Sequence, residues 1–156
     1  MPWLFVCLLS SADALHIRPP VMAPEQLKAA IWEKRYLFDT DVHATLRNGE
    51  GAPRFRLAYM PMRNRIEIPR LVLEEARCAY ELEVIGFKIW AETPTAGPRL
   101  KSQAPFGKLP CLWNYDGLGS HLSQEAAITR FLAQRVGLAG RGAAEAAKMD
   151  ELYTLL

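Results

Sequence analysis

The chain has 156 residues, half of them hydrophobic and 23% charged, with a formal net charge of +2. That balance suits one soluble domain with a sizeable core and gives no sign of the strongly basic face that binds nucleic acid. Three cysteines, Cys7, Cys78 and Cys111, lack CxxC or metal-ligand spacing, which argues against a disulfide framework or zinc site and makes a reducing compartment the default.

In chain order, residues 3–9 form an apolar run too short to cross a membrane. A small-residue stretch follows at 12–14, but no Lys or Arg precedes the run. An unstructured leader is the plain reading, and secretion through a weak N-terminal signal is the alternative to a cytoplasmic location. Residues 24–38 read as a helix, with Pro24 at its start and Leu27, Ile31 and Phe38 near one face. A linker, NGEGAP, spans residues 48–53. Residues 1–52 are therefore expected to be a leader and helical extension.

Residues 55–76 run from a short apolar strand through Tyr59 and an Arg-rich turn into an amphipathic helix. That order sets a phenol at a strand end, beside positive charge and a helix N-terminus, where it can donate a hydrogen bond to an anion. An ordinary strand Tyr covering a core edge is the competing reading of that residue alone. Residues 80–90, rich in β-branched and aromatic side chains, read as a second strand. The apolar stretch 104–113, the turn-rich stretch 114–122 and a helix opened by Ser123 read as a β-hairpin followed by an N-capped helix. Residues 143–156 look like the first turns of a further helix, with Met149, Leu152, Tyr153 and Leu156 along one apolar side.

Residues 55–140 resemble the N-terminal, thioredoxin-like domain of the cytosolic glutathione transferases, most of all the tyrosine-type pi and sigma classes. The resemblance rests on segments that agree in order and spacing: LAYMPMRNR at 57–65, RLVLEEA at 70–76, WAE at 90–92, PFGKLP at 105–110 and LSQEAAITRFLA at 122–133. It implies an α/β fold, a thioredoxin-like βαβ-ββα domain at 53–137, preceded by the extension and followed at 138–156 by the start of an incomplete helical domain. That incompleteness leads us to expect a truncated gene model or a poorly soluble fragment.

The resemblance also implies a site. Tyr59 would donate its hydroxyl to the sulfur of glutathione and favour the thiolate, which is the nucleophile. Arg65 would help hold the site and the carboxylate end, and Trp90 and Lys101 would contact the glycyl end. Lys101 stands nine residues before Pro110, the family's spacing, whereas Trp90 lies further from Lys101 than is usual there. Leu109 and Pro110 would form a cis bond, with the Leu109 backbone gripping the cysteinyl unit. Gln124 would contact the γ-glutamyl end. Glu125 departs from the family's Ser; its backbone N–H survives the exchange, but a carboxylate there repels a bound carboxylate unless it points away or is protonated. The hairpin is three residues longer than the family's pattern.

Glutathione is thus the implied substrate and partner, with no metal, no nucleic acid and no membrane span, and a homodimer is compatible with the resemblance. Three readings follow. One is a transferase that adds the glutathione thiol to soft electrophiles once a C-terminal helical domain is present. Another is a non-catalytic glutathione-binding or interaction module. The third, a thiol–disulfide oxidoreductase, is disfavoured because no cysteine occupies the turn after Tyr59.

Overall fold

A computed structural model describes residues 43–91 and 100–155. The leader, Cys7 and the helix expected at 24–38 lie outside the described residues, as do residues 92–99 between Trp90 and Lys101.

Five strands form one sheet in the order β1-β3-β2-β4-β5. They are β1 (His43–Asn48), β2 (Phe55–Tyr59), β3 (Tyr80–Ile85), β4 (Cys111–Trp113) and β5 (Leu122–Ser123). β2 and β3 pair in parallel, joined by α1 (Glu67–Glu75), while β4 and β5 continue the sheet antiparallel as a hairpin. The helix α4 (Glu125–Val136) follows directly. This is the thioredoxin-like α/β arrangement expected from the sequence.

Period-two alternation divides the sheet into two faces. Leu57, Tyr59, Tyr80, Leu82, Val84 and Leu112 face α1 and α4, where Leu73, Ile128 and Leu132 complete the larger core. The opposite face packs Ala58, Ile85, Cys111 and Trp113 against Trp90. α1 is pinned to β3 by Tyr80, whose hydroxyl receives Arg70 Nε at 3.0 Å and donates to Glu74 Oε1 at 2.7 Å.

Four features differ from the sequence-based expectations. The second strand ends at Ile85, and Phe87–Ala91 form a short helix, α2. There the Trp90 N–H bonds back to the Gly86 carbonyl, so Trp90 belongs to a helical turn and does not close the strand. Ser123 does not open the last core helix. It is a strand residue whose hydroxyl donates to the Lys108 carbonyl, and Gln124 takes the N-cap position without a side-chain cap. A short helix α3 (Leu100–Gln103) and a 3-10 turn (Pro105–Gly107) precede β4.

The fourth feature is β1. It comes from residues read as extension and linker, and it pairs antiparallel with the outer edge of β3, from His43 opposite Ile85 to Asn48 opposite Tyr80. Gly49 then lets the chain leave the sheet: its φ is 81°, and a Cβ there would sit 2.9 Å from the Ala79 Cα.

Candidate functional site

Strand register builds the site. Ala58 pairs with Cys111 and Cys111 with Ser123, so three adjacent strands align at one level. One step beyond that level stand Tyr59 at the end of β2, Pro110 before β4 and Gln124 after β5. β3 reaches the same rim, since Val84 pairs with Tyr59, and Ile85 leads on toward α2 and Trp90. The rim is the carboxyl end of the parallel pair, which is where open α/β sheets leave a crevice.

Tyr59 is 7% exposed, and the turn after it folds back over its hydroxyl. Asn64 supports that turn with φ 100°, a conformation Asn tolerates better than most residues, and its carbonyl accepts the Glu67 N–H at 2.9 Å. The Arg65 backbone N–H hydrogen-bonds the phenol oxygen. Burial nevertheless outweighs that bond and the nearby Arg65 charge, so the phenol pKa moves upward from 10.0. Tyr59 is therefore a neutral donor at physiological pH. The Arg65 side chain is exposed.

The Leu109–Pro110 bond is cis. Pro110 is buried, and Leu109 packs against both core clusters. Lys101 is exposed on α3 and lies along the turn before that bond, since a Cβ at Gly107 would meet its Cγ at 3.6 Å and its Cε at 3.7 Å. Trp90 is 9% exposed among Ala58, Ile85 and Trp113, behind the same rim.

Gln124 has φ 76° and ψ 119°, sparsely populated for a residue with a Cβ. With no side chain capping α4, the first N–H groups of that helix are open to an anion. Glu125 follows as the first helical residue. Its carboxylate turns away from the open end: Oε1 accepts the Thr129 hydroxyl at 3.2 Å, one turn along α4. Tyr153 Oη lies 2.8 and 2.7 Å from the two carboxylate oxygens. The contact with Tyr153 was not legible in the sequence, because Tyr153 lies 28 positions away on α5 (Gly142–Thr154).

Cys111 has no exposure, and burial pushes its thiol up to about 12, against a slight lowering by the Ser123 hydroxyl. A thiol held protonated in this way is a poor nucleophile. Cys78 is also buried and unpaired. No group of three His, Cys, Asp or Glu side chains among the described residues could hold a metal ion. No helix among them is long and apolar enough to cross a membrane.

No family model matches the chain. In sequence it is similar to a probable glutathione S-transferase 6 of Caenorhabditis elegans, 37% identical over 98 residues, which are 63% of this chain and 43% of that protein. Human hematopoietic prostaglandin D synthase is 36% identical over 104 residues, 67% of this chain and 47% of the synthase. In structure the glutathione S-transferase of Ascaris lumbricoides matches with a TM-score of 0.54 at 33% identity, across 65% of this chain and 45% of that one. The chain spans less than half the length of these relatives.

Proposed function

We propose that the chain binds glutathione at the sheet rim, as the N-terminal domain of a glutathione transferase of the tyrosine type, in the manner of the pi and sigma classes. The observation that carries this reading is the shared level of Tyr59, Leu109–Pro110 and Gln124, set by the pairings of Ala58 with Cys111 and of Cys111 with Ser123. A buried, protonated phenol at that level is a donor suited to a thiolate. Lowering a thiol pKa by about 2 units takes about 2.7 kcal/mol of preferential anion stabilisation. One charge-assisted hydrogen bond of about 1.5–3 kcal/mol is of that size.

In this reading Leu109 offers its backbone to the cysteinyl unit, while Gln124 and the N–H of Glu125 receive the γ-glutamyl end. Trp90 and Lys101 meet the glycyl carboxylate as neutral and cationic donors, and Arg65 adds positive charge at the mouth. The thiolate then adds to a soft electrophile, with no metal involved. A cytoplasmic location and a homodimer belong to the same reading; the unpaired thiols of Cys78 and Cys111 fit a reducing compartment.

Titration calorimetry with glutathione tests the site. Saturable one-to-one binding, weakened severalfold by Lys101→Ala, is expected; no binding at millimolar glutathione would refute it. The second reading, a glutathione-binding module without catalysis, is separated from the first by conjugation of a soft electrophile by the chain.

A further inference from the structure

The Glu125 carboxylate is held by a residue from a different helix. α5 returns along α4 through a tight connection in which Gly140, at φ 84°, passes so close that a Cβ would meet the Glu145 backbone at 2.8 Å. The return seats Tyr153 over the first turns of α4. Its hydroxyl meets both Glu125 oxygens, and Arg130 lies across its ring with the guanidinium carbon 5.4 Å from the centroid. Arg130 is tied in turn to Asp150 of α5 at 2.8 Å. Among the described residues, the charged and titratable groups that interact with Glu125 or with Tyr153 beside it include Arg130 on its own helix and Asp150 on α5.

We propose that Tyr153 is a positioning residue for glutathione, keeping the Glu125 carboxylate turned along α4 and away from the anion subsite at the helix N-terminus. The proposal rests on the glutathione reading above. A glutamate at the first helical position ordinarily leans toward the N-terminus, since side chains tilt that way and the dipole favours negative charge there. Released from Tyr153, it would occupy or repel the place where the γ-glutamyl carboxylate binds. Thr129 alone offers one neutral hydroxyl to one of its oxygens. The phenol thereby makes room for an anion beside a residue of the same charge.

The test is a double-variant cycle on the full chain, with glutathione affinity read by calorimetry near neutral pH. Tyr153→Phe is expected to weaken binding about tenfold near neutral pH, the equivalent of about 1.4 kcal/mol. In a Glu125→Gln background the same change should cost less than about twofold, because no charge remains to be held off. An equal loss in both backgrounds would mean that Tyr153 only supports the helix packing and would overturn the proposal. So would an unchanged affinity in Tyr153→Phe. Native chain that fails to bind glutathione would remove the underlying reading and this proposal with it.

Discussion

His43, the first residue of the edge strand, reaches Glu83 in the neighbouring strand, Nε2 to Oε1 at 2.8 Å. Glu83 has no exposure, and its other oxygen receives Arg56 Nη2 at 3.0 Å and Trp113 Nε1 at 2.8 Å. A buried carboxylate is tolerated when it is satisfied in this way, and removing one partner leaves a charge that is costly to bury. Arg56→Met should therefore destabilise the fold by about 3 kcal/mol, read as a lower urea midpoint. A change below about 1 kcal/mol would show that the other partners suffice.

Cys111 gives the fold an alkaline limit. Its ordinary value of 9.0 is raised to about 12 by burial, so the folded state holds the thiol proton more tightly than the unfolded chain does. The contribution is complete below pH 9 and is lost as pH rises from there toward 12. At pH 10 the loss should be about 1 kcal/mol relative to pH 8. Tyr59, Tyr80 and Tyr153 shift in the same direction from 10.0 and add losses of their own near pH 10, so the share of the thiol is the difference between native chain and a variant without it. Urea midpoints for native chain and Cys111→Ala at pH 8 and 10 check this: the variant starts lower because of its cavity, yet should fall less between the two.

Gly140 should be intolerant of any side chain. Its positive φ and the 2.8 Å approach to the Glu145 backbone act together, so Gly140→Ala must move the α4–α5 connection. Amide exchange across residues 142–154 should speed up by about tenfold while the β-sheet amides keep their protection. Unchanged exchange in α5 would show that the helix accommodates the shift.

The sheet rim was legible from residues 55–59 and 105–125, because a strand ending in Tyr, a Leu-Pro step and a Gln before a helix are local signals at defined spacings. Trp90 and Ser123 were misplaced in secondary structure for local reasons too. A β-rich composition hid the break at Gly86, and a serine suited to an N-cap bonds the Lys108 carbonyl instead. β1 was missed because HATLRN is short and polar at its end, and only pairing with β3 makes it a strand. The buried charge of Glu83 and the hold of Tyr153 on Glu125 depend on residues 40 and 28 positions apart, a separation that periodicity cannot report.

Tyr59 carries the central claim, and the thiolate absorbance of bound glutathione tests it most directly, compared at neutral pH between native chain and Tyr59→Phe with both saturated. The phenol donor predicts a thiolate fraction in the native complex that falls by about tenfold or more in the variant, while glutathione affinity changes little. Equal thiolate absorbance in the two complexes would contradict the assignment of Tyr59 as the group that activates the thiol.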